Sequence, residues 1–494
     1  MSFLPQRFAS SAYTAGGATR ISPLRGNQAI LVALVAIHLC LLPWALGGMH
    51  AWTQVSSLAL SVVTFTLAIA GPRDSEDGPG TPHRLLRFPM FWAGLALVAF
   101  VAVQGLNPSM RFTRNADSWW LVQVPSIDWL PSGIDGPFSR SNPWRAIVVY
   151  ASCWLLACSV WAGFTRRQSF RVLFVCLALN AFLLAAFGLF EQLFPSKLIF
   201  WSIRPGSETF IASFIYRNHA GAYFDLMASL LAGLAIWHFD RERRRLERNG
   251  ISVVFTFMAA IVWVMVLFSY SRMSIVILVT LTGAIACVLT LRLIARPEGE
   301  RRSVQVIPAA VAVLALIAIC AVTVSSGKVW KRFAEAVGDP VASFQDRKAV
   351  RMASSEMLHA RLLLGWGAGS FRYAFPIYAQ KYPGIYYSSD GRIRYWEHAH
   401  DDFMEFAVEL GMAGLAPLVF GLCYFACLTV RARFWRNSIS MCSVLGCALA
   451  LVHGCVDFIF QNPAVLLTWC VILVSAIRWA QLDQPLAKRG PLRA

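Results

Sequence analysis

Charge is scarce in this sequence. Asp, Glu, Lys and Arg make up 14% of 494 residues and 57% are hydrophobic, too little polar material to cover a soluble fold with water-facing surface. Acids are scarcer still, 26 against 44 Lys and Arg, for a formal net charge of +18. Cysteine is missing where a secreted fold would need it. All twelve, from Cys40 to Cys470, fall inside apolar runs, which excludes a disulfide framework in the loops and makes them buried small hydrophobes. No solenoid or inverted repeat is visible. Gly365-Trp366-Gly367-Ala368-Gly369 is no dinucleotide fingerprint, since it lacks both the preceding strand and the spacing.

What the chain has in abundance is apolar runs near twenty residues, each able to cross a hydrocarbon core of roughly 30 Å as a helix. They lie near Gln28–Leu46, His50–Gly71, Phe88–Leu106, Trp144–Phe164, Phe170–Phe194, Asn218–Phe239, Ile251–Ser269, Met273–Ile294, Gln305–Val324, Phe403–Val430, Ser438–Phe460 and Ala464–Gln481. The expected fold is an all-α integral membrane protein with about twelve spans. With the N-terminus in the cytoplasm, inner segments and flanks hold 25 of the 44 Lys and Arg, and 11 of the remaining 19 lie in one long loop. The basic charge is therefore a topology signal and not a nucleic-acid surface. The first run follows Arg7, Arg20 and Arg25 without a small-x-small site after Leu46, and is expected to be retained. The implied organisation is a cytoplasmic tail over 1–27, five helices over 28–194, a catalytic region over 195–430 with a loop over 325–402, and two helices and a cytoplasmic tail over 431–494.

Three outer segments exceed the length of a turn: Asn107–Pro143, Pro195–Arg217 and Ser325–Asp402. In the first, Trp119, Trp120 and Trp129 suit either a sugar-stacking surface or, the favoured reading, an interfacial belt. In the third, Val350, Ser354 and Met357 share one face of a stretch from Ser343 to Ala360, which predicts an amphipathic helix on the membrane surface. The alternating glycines after it permit a tight backbone path that a ligand can approach.

Ionisable groups inside lipid are costly, so their depth is informative. Glu191, Asp225, Glu405, Glu409, His453 and Asp457 all sit toward outer helix ends. A coupled carrier places such groups near the midplane; this distribution describes a cavity open to the outside. Asp402, Glu405 and Glu409 fall at i, i+3 and i+7 on one helical face, and Asn218 and Asp225 share another. Asp401 and Asp402 also suit a plain helix N-terminus.

Three motifs stand at outer helix ends: Arg217-Asn218-His219-Ala220-Gly221, Ser269-Tyr270-Ser271-Arg272, and His398-Ala399-His400-Asp401-Asp402-Phe403 with Glu405 and Glu409-Leu410-Gly411 beyond. In this order they resemble the O-antigen ligase and polymerase superfamily of bacterial envelope enzymes, over roughly Phe200–Leu422. The resemblance implies a glycosyltransferase of the inner membrane, facing the periplasm, using an undecaprenyl-diphosphate-linked glycan as donor and lipid A core or a glycan as acceptor. It implies no cofactor and no metal. It assigns Arg217 and Arg272 to the donor diphosphate and His400 to catalysis, with Asn218, His219, Asp225, His398, Asp401, Asp402 and Glu405 in support. Asp401 stands where the family usually has Asn.

The residue types suit that chemistry in their own right. Outside the inner membrane the leaving group must arrive already activated, arginine forks can hold a diphosphate bidentately, and a histidine can take a hydroxyl proton. Plainer readings stay open. The arginines can be headgroup anchors, and His398, His400, Asp401 and Asp402 have the donor types of a metal site. A ligase, a polymerase of repeat units and, as a minor alternative, a polysaccharide transporter all remain at this stage.

Overall fold

A computed structural model describes residues 24, 26–71, 80–116, 118–194, 196–204, 210–245, 250–294, 340–388 and 391–483. Ten of its helices are long and apolar enough to cross a membrane. In chain order they are α1 (Asn27–Trp44), α2 (Ala51–Ala70), α4 (Pro89–Leu106), α5 (Pro143–Gly163), α6 (Arg167–Leu193), α7 (Arg217–Arg245), α8 (Ile251–Phe268), α9 (Arg272–Ile294), α13 (Asp402–Arg431) and α15 (Pro463–Asp483). A shorter apolar helix, α14 (Ser438–Gly454), completes the set. A six-residue α3 (Thr81–Leu86) leads into α4, and α10 (Pro340–Ala360), α11 (Phe371–Ala379) and α12 (Pro383–Tyr386) precede α13. These match eleven of the twelve expected spans within a few residues. The twelfth, Gln305–Val324, lies outside the described residues, as do both terminal tails.

Two spans form the centre, α7 and α15, the second 72% buried along its most apolar stretch. Along its most apolar stretch α7 is 83% buried, whereas α4 and α13 are 17% buried and face lipid. Small residues let the neighbours of α7 close in, as is usual where lipid removes the hydrophobic drive between helices. A Cβ added at Gly446 of α14 would stand 2.1 Å from Ser229 Oγ, and one at Gly221 of α7 would stand 2.2 Å from Ser274 Oγ of α9. The main core accordingly joins α1, α6, α7, α8, α14 and α15 through Phe174, Leu177, Tyr223, Leu230, Val262 and Ile472.

A second core lies outside the spans. Ile134, Val350, Met357, Trp366, Phe371 and Phe375 pack together under a cap built from α10, α11, α12 and a small sheet. The sheet was not expected. β1 (Pro108–Arg114) pairs antiparallel with β2 (Trp119–Gln123) and parallel with β3 (Gly133–Asp135). The chain is thus a mostly helical membrane protein with, among the described residues, one three-stranded sheet in a loop. Helix α10 also differs from expectation in its surroundings: Val350, Ser354 and Met357 are buried, and the first and last pack on Phe371, Phe375 and Val408, so protein and not lipid covers that face.

The glycine run joins cap to spans. Helix α13 breaks at Gly411 (φ 61°, ψ −177°), and the freed backbone groups pair with the glycine loop. Trp366 N–H donates to Val408 O (3.0 Å), Gly367 N–H to Glu409 O (2.9 Å), and Met412 N–H to Leu362 O (2.9 Å). A Cβ at Gly365 would stand 2.3 Å from Glu409 O. Sequence reading reserved this close approach for a ligand; the chain's own backbone fills it.

Candidate functional site

All three motifs open helices at the same end of the bundle. Arg217 begins α7, Arg272 begins α9, and Asp402 begins α13. Gly221, one turn beyond Arg217, packs on Ser271 and Ser274, the residues flanking Arg272 on its helix, so the two arginine-bearing helix ends are neighbours. Arg217 is half-buried and Arg272 is exposed.

The histidine motif is held to the first motif by the segment between α14 and α15, residues 455–462. Phe458 is the hub. His398 stacks on its ring (centroids 4.4 Å apart), His400 meets it edge-on at 4.9 Å, His219 edge-on at 5.0 Å, and Tyr216 stacks at 5.1 Å. Asp457, next to it, turns one carboxylate oxygen to His400 Nδ1 at 3.5 Å and accepts a hydrogen bond from Asn218 Nδ2 with the other. His219 is locked in place: its Nε2 is 3.1 Å from Phe458 O, which can only accept, and its Nδ1 is 3.4 Å from Asn462 Nδ2. Those partners assign the proton to Nε2.

His400 itself adopts φ 54°, a region where a residue with a Cβ is held only if its surroundings impose it. Asp401 follows as N-cap, accepting from Met404 N–H at 3.1 Å, and pairs with Arg351 of α10 at 2.8 Å. This is the position at which the family usually has Asn, and the acid here gains an ion pair as well as the cap. Asp402 points elsewhere: Phe460 N–H donates to its carboxylate at 2.9 Å.

Each histidine of the motif has its own carboxylate. His398 Nδ1 lies 2.7 Å from Glu405 Oε1, and Ala399 N–H donates to the other Glu405 oxygen at 2.8 Å. Burial works against a charge on His398, but the facing Glu405, with Glu397 and Glu409 beyond, outweighs it and raises the imidazole above its ordinary value. Burial likewise works against a charged Asp457; the bond and charge of His400, the charge of His453 and the Phe458 N–H overcome it and hold the carboxyl at about 2. His400 remains the more open ring, its side chain 31% exposed against 16% for His398.

The supporting residues named from sequence therefore divide. Asn218, His219, His398, His400, Asp457 and Glu405 converge around Phe458, and Asp401 is tied to them by its cap. Asp225 does not join them. It is buried inside the bundle beside Ser274. Glu409, expected on the same face, accepts from Phe371 N–H at 3.0 Å and serves the glycine loop. The four groups weighed as metal ligands turn to four different partners: Glu405, Asp457, Arg351 and Phe460 N–H.

Sequence reading missed Phe458, Tyr216 and Asn462. An aromatic in an apolar run carries no mark of its function; the one signal was the unusual density of polar residues around Asp457. An apolar cleft of about 260 Å³ also lies between α4, α5, α13 and α15, lined by Trp154, Phe406, Leu418 and Trp469 and ending at Asp402 and Phe460.

Together these features define a multi-spanning membrane protein with a cluster of histidines and carboxylates at one end of its helices, beside two arginines and next to an apolar cleft. Residues 255–419 match the family model described as O-antigen ligase, so this stretch is similar to that family and the resemblance read from the motifs is borne out. No curated protein matches the chain. The family supports a membrane glycosyltransferase role of the ligase or polymerase type. The matched stretch includes Arg272, His398, His400, Asp402 and Glu405; Arg217, Asn218, Asp457 and Phe458 lie outside it and reach the site through the fold.

Proposed function

We propose that the protein is a glycosyltransferase of the inner membrane, facing the periplasm, that moves a glycan from an undecaprenyl-diphosphate carrier to an acceptor hydroxyl without a metal ion. The observation that carries this reading is the His400–Asp457–Asn218 chain beside the helix ends bearing Arg217 and Arg272. His400 takes the proton of the acceptor hydroxyl, and Asp457 holds the ring and stabilises the imidazolium. The acceptor oxygen forms the new bond to the anomeric carbon. The bond from that carbon to the diphosphate breaks, and its electron pair leaves on the diphosphate oxygen, where Arg217 and Arg272 meet the growing charge. The cleft ending at Asp402 suits an apolar chain lying along the spans. Direct displacement inverts the anomeric centre.

His398 is the less suitable base, since its ring is stacked on Phe458 and less exposed than that of His400. It and Glu405 position the loop that carries His400.

Reconstitution of the purified chain with a lipid-diphosphate glycan and candidate acceptors, in the presence of a chelator, tests the proposal by the mass of the product. Transfer with unchanged rate under chelation is expected. Activity lost with the chelator and restored by one added metal would replace the arginines with a cation as the carrier of leaving-group charge.

A further inference from the structure

The cap carries a surface that the transfer chemistry leaves unused. On β2 the Trp119 ring lies 5.6 Å from Phe112 of β1 and meets Tyr395 edge-on at 6.1 Å. Tyr395 is 42% exposed. Arg372 of α11 lies 5.2 Å from the centre of the Tyr395 ring, donates from Nε to the Tyr395 hydroxyl at 2.8 Å and reaches Glu397 at 3.1 Å. Arg140 approaches the same Glu397 oxygen at 3.6 Å.

The run from Tyr395 to His400 connects this surface to the site. Tyr395 and Glu397, two apart, are exposed, while Trp396 between them turns inward, donates from its indole N–H to Ile385 O at 2.8 Å and meets His400 edge-on at 5.8 Å. Tyr395 lies five positions before His400, a reach of at most ~18 Å of extended chain. Trp129, by contrast, belongs to the loop that Asn107 ties down at the end of α4 by donating to Ile127 O at 3.0 Å, near the exposed Leu106 and Trp144. Trp129 and Trp119 therefore differ: Trp129 stands in the loop tied to the end of a span, and Trp119 packs within the cap.

We propose that Trp119 and Tyr395, with Arg372 and Glu397, form a glycan-binding platform that holds the sugar chain of a substrate on its way to His400. The combination selects this occupant. An aromatic face covers the C–H side of a pyranose ring, and a guanidinium and a carboxylate held in fixed positions bond its hydroxyls. A lipid surface would use the rings but leave the Arg372–Glu397–Arg140 network unspent. The platform rests on the transferase reading for its direction toward His400, although sugar binding can be read separately.

Two measurements on the purified full-length protein test it. The first is binding of soluble oligosaccharide, released from its lipid by mild acid, followed by tryptophan fluorescence. The second is transfer from lipid-diphosphate donors bearing either one sugar or several repeats. Tyr395→Ala and Trp119→Ala should each weaken oligosaccharide binding, and raise KM for the long donor, by roughly two- to tenfold, leaving turnover of the one-sugar donor unchanged. Tyr395→Trp should restore binding and Tyr395→Leu should not. Equal losses on both donors, restoration by leucine, or unchanged glycan binding with altered binding to vesicles would overturn the platform. Should the wild-type chain transfer neither donor yet bind the soluble glycan through Tyr395, the transferase reading fails and the platform stands.

Discussion

A histidine serves as a base only where a substrate can reach its ring, and the two histidines of the third motif differ in exposure, 31% for His400 against 16% for His398. His398 is stacked on Phe458 and bonded to Glu405, which raises it above 6.5. His400 faces Asp457 through Nδ1, which in the proposed reaction leaves Nε2 for the acceptor hydroxyl. His400→Ala should therefore lower transfer by about 10²–10⁴, the usual worth of a general base, in a protein that still purifies as a monodisperse species. Near-normal turnover would remove His400 from the chemistry. His398 predicts an effect on stability instead. Because its native value lies above the unfolded 6.5, the stabilisation is complete below that pH and is lost as pH rises through the raised value. Melting temperature measured from about pH 6 to 9 should fall in the wild type and fall less in His398→Gln; parallel curves would show that the pair does not contribute. Most of these residues were legible in the sequence because polar groups in an apolar chain stand out. Phe458 was not, since its meaning depends on three imidazoles from two other segments meeting around it.

Elements were legible to the extent that they had a period or a length. Spans such as α6 and α8 follow from apolar length alone, and α10 from its 3.6-residue stripe. The partner of that stripe could not be read, because a helix facing lipid and a helix facing α11 and α13 show the same pattern. The sheet escaped for a related reason: β1 alternates Met110 and Phe112 with Arg111 and Thr113 over only a few residues, too short a signal beside three tryptophans with an alternative explanation. The glycines were noticed and their tenant misjudged. The break at Gly411 and the turn at Gly365 (φ 71°) bring two backbones within reach of each other, and this contact fastens the glycine loop to α13, the helix that also carries Glu405. Gly365→Ala should cost roughly 1–3 kcal/mol in thermal unfolding, since a Cβ there meets backbone that cannot yield. Gly384→Ala, where nothing lies within 4 Å, supplies the control. If the two variants melt alike, the glycine contact does not anchor the cap.

At the scale of the whole molecule, the spans supply a frame with a buried centre at α7 and the site is assembled where its first turn meets α13 and the segment after α14. The family match covers residues 255–419 only, yet Asn218 and Asp457, one on each side of that stretch, meet in a hydrogen bond. The proposed catalytic unit is therefore larger than the matched stretch. Ligase and polymerase share this unit and differ in how often it acts on one acceptor. We favour a ligase, because the proposed site has a single open histidine and, among the described residues, the cap adds helices and a sheet without a further domain. A ligase transfers a finished chain once, so deleting the gene should leave full-length glycan on its lipid carrier and the acceptor bare. A polymerase works repeatedly, so the same deletion should leave single repeat units. Glycan profiles of the lipid-linked and acceptor-linked pools separate these outcomes. An acceptor capped with one repeat unit and no long chain in either pool would make the protein a polymerase, with His400, Asp457 and the two arginines in the same roles.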